Sequence, residues 1–85
     1  MSYYVYVIKS VTTGRIYIGS TRNIGQRLKL HNSGVTASTR KRGNWTMKMV
    51  EEYSTRVLAE KRETFLKTGD GRKVLKLKGI ISSGV

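Results

Sequence analysis

The chain has 85 residues and no cysteine, which fits one small domain and excludes disulfides and thiolate metal sites. Seventeen Lys and Arg residues face five acidic residues, so the formal net charge is +12. A chain this basic repels itself unless it works against a polyanion, and nucleic acid is the partner that such a charge favours. For so few residues we also expect a core with a single packing layer.

An anionic membrane surface is the rival partner, and the sequence argues against it. No basic amphipathic helix with a broad apolar face stands out, and no apolar stretch approaches the roughly 20 residues that cross a bilayer. Residues 1–4 lack the basic segment and the apolar run of a signal peptide. The expectation is therefore a soluble, cytoplasmic protein with no membrane partner.

The first 20 residues predict a β-hairpin. Residues 3–10, YYVYVIKS, are rich in the aromatic and β-branched side chains that favour a strand. Residues 11–14 carry turn chemistry, with Gly14 able to take a positive φ. Residues 15–20, RIYIGS, predict a second strand, and two strands this close in sequence pair antiparallel.

A short helix and a basic loop are expected next. Asn23 is a suitable N-cap, and the helix is predicted to run through Leu30 or His31, before the break at residues 32–34. Residues 35–44 are polar and basic, which is typical of a loop.

A third strand and a long helix follow the loop. Residues 45–53, WTMKMVEEY, alternate for much of their length and predict a strand. Ser54 or Thr55 can cap a helix that runs to about Lys67. This helix is expected to bury an apolar stripe made of Val57, Leu58, Ala59, Phe65 and Leu66.

The chain is predicted to end with a short third helix. Residues 68–71, TGDG, should break the preceding helix, and residues 72–78 should form the last one. Residues 80–85 are short and contain Gly and Ser, so we expect them to be weakly ordered. The order β-β-α-β-α-α predicts one α+β domain over residues 1–85, with its core at about 3–78.

Tyrosines of the predicted hairpin are the first candidate site residues. Tyr4 and Tyr6 share one face of their strand, and Tyr17 can pair across from them if the register permits. Ordinary sheet aromatics would give the same pattern. Arg27 and His31, four residues apart, would lie on one face of the first helix. Guanidinium groups bind phosphate oxygens and imidazoles move protons near neutral pH, so the set suits a phosphate site.

Glu63 is the most informative of the few acidic residues. It lies at the border of the apolar stripe of the long helix and should be partly buried, where a carboxylate is a natural ligand for a hard metal ion. The alternative is an ordinary surface pair with Lys67, four residues on. The sequence has no phosphate-binding glycine loop, no HExxH motif and no clustered acids. Because these motifs are absent, any hydrolytic mechanism is expected to use a single metal ion.

These residues occur in a familiar order. Residues 4–6 read YVY, residues 17–19 read YIG, Arg27 and His31 follow, and residues 59–67 read AEKRETFLK. The arrangement resembles the GIY-YIG nuclease family, whose first motif has a glycine where this chain has a tyrosine. In the resemblance the last segment is the helix that carries the metal-binding glutamate, Glu63. The resemblance covers roughly residues 3 to 78.

The resemblance implies a central three-stranded antiparallel sheet flanked by helices and a metal-dependent endonuclease that hydrolyses DNA. Glu63 would hold one Mg²⁺ or Mn²⁺, and Arg27 would lie beside the scissile phosphate. Tyr6 is then the general base, with His31 as the rival base or an assistant in proton transfer, while Tyr17 would hydrogen-bond the phosphate or the water. A free tyrosine has a pKa of about 10, too high for this role. The metal ion and the Lys/Arg field are expected to favour phenolate.

Other basic residues are predicted to bind the DNA backbone: Arg22, Arg40, Lys41, Arg42, Lys67, Arg72 and Lys73. No separate specificity domain is identified, so specificity would rest on the structure of the DNA or on a protein partner. The alternative function is a non-catalytic, basic nucleic-acid-binding module on the same scaffold. An RNA-processing factor and a basic scaffold protein, such as a ribosomal component, are further alternatives.

Overall fold

A computed structural model describes residues 2–11, 13–33 and 44–81 of the protein. For residues 30–33 it describes the backbone but not the side chains. The predicted α+β class, a three-stranded antiparallel sheet flanked by helices, is confirmed. In chain order the elements are β1 (Tyr3–Ser10), β2 (Ile16–Thr21), α1 (Ile24–Ser33), β3 (Trp45–Tyr53), α2 (Arg56–Leu66) and α3 (Gly69–Leu77).

β1 is the central strand, because the sheet order is β2-β1-β3 and both pairings are antiparallel. Side chains from Val5 to Ile8 are all buried, since helices cover both faces of the sheet. The expected single packing layer is therefore wrong. One face packs Val5, Val7 and Ile18 against Ala59, Leu66 and Leu75 of α2 and α3. The other face packs Tyr6, Ile8 and Trp45 against Ile24 and Leu28 of α1.

The helix starts follow the predicted capping in two cases. Asn23 caps α1, with its Oδ1 accepting a hydrogen bond from the Gln26 backbone N–H at 3.0 Å. Thr55 caps α2 in the same way, accepting from the Leu58 N–H at 3.3 Å. α1 ends at Ser33, two residues later than expected. The loop predicted at residues 35–44 lies outside the described residues, except Asn44.

The predicted break after α2 is confirmed at Lys67 and Thr68, but its predicted extent to residue 71 is wrong. Thr68 instead caps α3, accepting a hydrogen bond from the Gly71 N–H at 3.2 Å, so the helix starts three residues before the predicted start. Weak order is also the wrong expectation for Ile80, which is buried in the core. Residues 82–85 lie outside the described part of the chain.

The buried stripe predicted for α2 is only partly correct. Ala59 and Leu66 are buried, whereas Val57, Leu58 and Phe65 are exposed. The helix lies against the sheet through residues 59 and 66, and this positions half-buried Glu63, between them on the helix, against β2.

Arg62 also lies on this face, where it makes an ion pair with Glu51 of β3. The Arg62 Nε donates to Glu51 Oε1 at 2.8 Å, and the Tyr53 hydroxyl donates to the same oxygen at 2.9 Å. Burial alone would raise the pKa of Glu51, but the hydrogen bonds from Arg62 and Tyr53 and the charge of Arg62 hold it below its usual value. The cation therefore ties α2 to the edge strand β3.

Gly71 of α3 packs directly against the backbone of α2, and Gly71→Ala should destabilise the fold. An added Cβ would lie 2.1 Å from the Phe65 carbonyl oxygen and 2.4 Å from the Leu66 Cα, both backbone atoms. Overpacking of this kind costs about 1–3 kcal/mol, and a backbone clash should lie at the upper end. Urea unfolding followed by circular dichroism measures the loss. Gly69→Ala is the control, because a Cβ there meets nothing within 4 Å; equal midpoints for the two variants would contradict this packing.

Candidate active site

Tyr6 reaches from the central strand across the neighbouring strand. It pairs with Gly19 in the register of β1 and β2, and a Cβ built on Gly19 would lie 2.6 Å from the Tyr6 Oη and 2.8 Å from its Cζ. The phenol therefore lies directly on the backbone of β2, the edge strand. A glycine is required here because any larger residue would displace the ring.

Tyr17 lies beside Tyr6 on the same face of the sheet. It pairs with Ile8, so it stands diagonally to Tyr6, and the two ring centroids are 6.2 Å apart with an interplanar angle of 29°. The register therefore places neither Tyr4 nor Tyr6 directly across from Tyr17, and the Tyr6 and Tyr17 rings meet by diagonal contact between adjacent strands instead.

Glu63 contacts β2 from the opposite face of the sheet. Its Oε1 accepts a hydrogen bond from the Ser20 Oγ at 2.7 Å, and its Oε2 accepts from the Lys67 Nζ at 2.8 Å. The alternative surface pair with Lys67 therefore exists, but Ser20 also fixes the carboxylate to the residue next to Gly19. Burial alone would raise the pKa of Glu63, yet the hydrogen bonds from Lys67 and Ser20 and the charge of Lys67 lower it, so the group is ionised near neutral pH.

Arg27 on α1 acts electrostatically on the same phenol. Burial is the main cause that raises the pKa of Tyr6, followed by the neighbouring Tyr17; the charge of Arg27 lowers this pKa and that of Glu63 raises it. The two charged groups, from helices on opposite faces of the sheet, thus both act on Tyr6 at the β2 edge. The net pKa of Tyr6 is well above its usual value. In the protein alone, the raised pKa favours the protonated phenol and not the phenolate expected from the sequence.

A cavity of about 440 Å³ opens beside these site residues, at the point where β2 leads into α1. Its lining includes Ser20, Thr21, Arg22, Gln26, Arg27 and Arg56. The guanidinium carbons of Arg22 and Arg56 lie 5.7 and 5.8 Å from the centroid of the Tyr3 ring, which holds both cations near the opening by cation–π contact. One acidic residue, Glu60, also lines the cavity, but the three arginines outnumber it and are suited to an anionic ligand.

A family model for the GIY-YIG catalytic domain matches residues 2–75. The chain belongs to the GIY-YIG family. A solved structure of a UPF0213 protein from Bacillus halodurans, determined in solution by NMR, is similar with 28% sequence identity and a TM-score of 0.57. The similarity covers 93% of this chain and 87% of that one. No curated protein matches the chain.

The GIY-YIG motifs lie along one edge of the sheet: Tyr6 from the first, Tyr17 and Gly19 from the second, and Glu63 from the helical motif. Ser20 and Arg56 are contributors that the sequence reasoning missed. Nothing in the sequence pattern singled out either residue. His31 lies in α1, one turn after Arg27, but its side chain is outside the description.

Three of the predicted DNA-binding residues, Arg22, Lys67 and Arg72, line cavities along this edge. Arg22 lines the cavity described above, and Arg72 lines a smaller groove together with Tyr17 and Lys67. Lys73 is exposed, with its Nζ 3.9 Å from the Asp70 carboxylate. The three basic residues at 40–42 lie outside the described chain. Among the described helices, none is long and apolar enough to cross a membrane.

Glu63 has the properties that a magnesium or manganese ligand of this type requires. Across the described residues no three His, Cys, Asp or Glu side chains cluster, so a cage of protein ligands is absent there. Mg²⁺, however, commonly keeps several waters and binds through one or two carboxylates plus substrate phosphates. An ionised carboxylate with 22% of its side chain exposed, at an arginine-lined edge, fits that mode of binding.

Proposed function

We propose that this GIY-YIG domain is a metal-dependent endonuclease that hydrolyses phosphodiester bonds in DNA. The observation that carries the proposal is the convergence on β2 of Tyr6 from β1, Arg27 from α1 and Glu63 from α2. A carboxylate, a guanidinium and a phenol that meet at one edge strand would supply a metal ligand, an anion clamp and a proton-transfer group. Family membership and the net charge of +12 both support DNA as the substrate.

Each residue has a chemical role in this proposal. Glu63 would hold a single Mg²⁺ or Mn²⁺, whose charge, when the ion is bound, stabilises the negative charge that gathers on the phosphoryl oxygens. Arg27 would donate hydrogen bonds to the same phosphate and is preset by its position on α1. Tyr17 would hydrogen-bond the phosphate or the attacking water. Arg22 and Arg56 would position the neighbouring phosphates in the cavity.

Tyr6 is the proposed general base, with His31 as the rival. The raised pKa of Tyr6 means that the protein alone holds the phenol protonated. Compensating the charge of Glu63 removes one of the influences that raise this pKa and leaves the lowering effect of Arg27 in place. Tyr6→Phe and His31→Ala distinguish the two bases, because the variant that lacks the true base loses the ascending limb of the pH–rate profile.

A plasmid-nicking assay with Mg²⁺ or Mn²⁺ tests the proposal. Wild-type protein should nick supercoiled plasmid and stop when EDTA is added, and Arg27→Ala should lower the rate by about 10²–10³-fold, as expected for loss of a preorganised donor. Lys48→Ala removes the same charge from β3, the opposite edge strand, and should cleave at the wild-type rate. Wild-type protein that is inert on duplex, nicked, flap and junction DNA would contradict the proposal.

A non-catalytic DNA-binding module is the second candidate. It is favoured by the existing partners of Glu63, because both carboxylate oxygens already accept hydrogen bonds from side chains of the protein. This candidate predicts DNA binding with steep salt dependence and no cleavage by any variant. Equal activity toward RNA would indicate RNA processing instead.

A further inference from the structure

A second basic site lies at the other end of β2, at the turn of the β1–β2 hairpin. A cavity of about 540 Å³ there is lined by three cations, Lys9, Arg15 and Arg72. None of the described residues that line it is acidic. The proposed nuclease chemistry does not use this site.

The turn that forms this site is held by internal hydrogen bonds. Gly14 adopts a φ of 76°, in the left-handed region that favours glycine, and its N–H donates to the Ser10 carbonyl at 2.9 Å. The buried Ser10 hydroxyl accepts from the Thr13 N–H at 3.1 Å. Lys9 is fixed through its Nζ, which donates to the Ile80 carbonyl at 3.0 Å. Lys9 and the backbone beside Arg15 are thus held in place, which reduces the entropic cost of binding an anion.

The hairpin site connects to the candidate active site through a groove. Arg72 lines both the hairpin cavity and a groove of about 270 Å³ that also includes Tyr17 and Lys67. Lys67 in turn donates to Glu63. We call Lys67, Arg72, Lys9 and Arg15 the hairpin track. It follows β2, which is an edge strand of the described sheet, so no other strand covers it.

The length of the track matches a stretch of DNA. Ser20, which binds Glu63, and Arg15 are five residues apart along an extended strand, which corresponds to about 17 Å. One DNA strand carries a phosphate about every 3.4 Å along the helix axis. Because that strand also winds around the axis, successive phosphates lie farther apart through space than the axial rise, so the hairpin turn stands about three nucleotides from a phosphate held at Glu63.

We propose that the hairpin track binds the phosphate backbone of the DNA substrate on one side of the cut, with Arg15 contacting it about three nucleotides away. This inference rests on the proposed function for the position of the cut, but the binding surface itself does not depend on catalysis. To occupy the track, the duplex must extend at least as far as Arg15 on one side of the scissile bond. The length of the duplex on the other side does not affect this contact.

Binding without catalysis gives the first test. Fluorescence anisotropy of a labelled duplex in EDTA, over a series of salt concentrations, should show the salt slope reduced by about 0.9 in Arg15→Gln and again in Arg72→Gln. Lys48→Gln, which removes one charge from the opposite edge strand, should keep the wild-type slope. Identical slopes for Arg15→Gln and Lys48→Gln would overturn the track, whether or not the protein cleaves DNA.

Substrate length gives the second test. On a substrate cut at one position, Arg15→Gln should slow cleavage at limiting DNA concentration. Shortening one arm to about two base pairs, which removes the phosphate that Arg15 would contact, should slow the wild type to the rate of Arg15→Gln, while shortening the other arm should leave their difference intact. A difference that survives shortening of either arm would contradict the inferred path. If no cleavage occurs at all while the slopes differ as expected, the nuclease proposal fails and the DNA-binding track stands.

Discussion

Glu63→Gln should lower DNA cleavage by about 10³-fold while leaving DNA binding intact. The amide keeps an oxygen that can accept the Ser20 hydrogen bond, so the local packing is conserved. It loses the negative charge that a divalent ion requires, and with it several kcal/mol of transition-state stabilisation; about 4 kcal/mol corresponds to a 10³-fold change in rate. Single-turnover cleavage of an oligonucleotide with Mg²⁺ measures the rate, and anisotropy in EDTA measures the binding.

Asp70→Asn is the matched control for this variant. It removes one negative charge from α3, where the carboxylate is 82% exposed and far less constrained. Its cleavage rate should equal that of the wild type.

The removal of a negative charge should make Glu63→Gln bind DNA as well as or better than the wild type. Cleavage by Glu63→Gln within threefold of the wild type would remove Glu63 from the mechanism.

Gly19→Ala should lower cleavage by about 10²-fold through displacement of Tyr6. The added methyl group would lie 2.6 Å from the Tyr6 Oη and 3.0 Å from the Tyr17 Cε1, so at least one phenol must move by nearly 1 Å. Tyr6 is only 2% exposed and has little room to yield. A misplacement of about 1 Å in a catalytic group is enough for a loss of this size.

Gly25→Ala separates this steric effect from a general effect of replacing glycine. Outside the adjoining backbone, the nearest atom to its added Cβ would be the Asn23 side-chain oxygen at 3.9 Å. Alanine in a helix is more favourable than glycine by up to about 1 kcal/mol, so this variant should melt at a higher temperature and cleave normally. Thermal melts show whether Gly19→Ala is still folded at the assay temperature. A folded Gly19→Ala with wild-type activity would show that the position of Tyr6 is not critical.

Strand assignments and helix caps could be predicted because they depend on local chemistry. β1 and β3 are dense in β-branched and aromatic residues, and Asn23 and Thr55 are good N-caps wherever they precede a helix. The start of α3 could not be found in this way. Gly71 is a helix breaker by propensity, but contact with the α2 backbone makes the absence of a side chain the deciding property.

The burial of apolar residues on α2 was harder to predict for a different reason. Val57, Leu58 and Phe65 are apolar, yet the sheet contacts only the face that carries Ala59 and Leu66. A short helix with apolar residues on more than one side does not define which side packs. α1 covers the second face of the sheet. Its apolar residues were too few for the sequence to predict this second packing layer.

The composition of the candidate site could be predicted from the family motifs, whereas its geometry could not. Tyr6, Tyr17, Arg27 and Glu63 were identified by type and order alone. The closeness of Tyr6 to Gly19 depends on strand register, and the link between Ser20 and Glu63 depends on how α2 lies on the sheet. The raised pKa of Tyr6 follows from burial, which no sequence motif reports.

The most direct test is a crystal structure of the protein bound to Mn²⁺ and a duplex with an uncleavable scissile linkage. The account predicts anomalous density for one manganese ion at the Glu63 carboxylate, with the scissile phosphate held between that ion, Arg27 and the Tyr6 hydroxyl. Manganese on a different carboxylate, or DNA bound to a face of the protein away from the β2 edge, would contradict it.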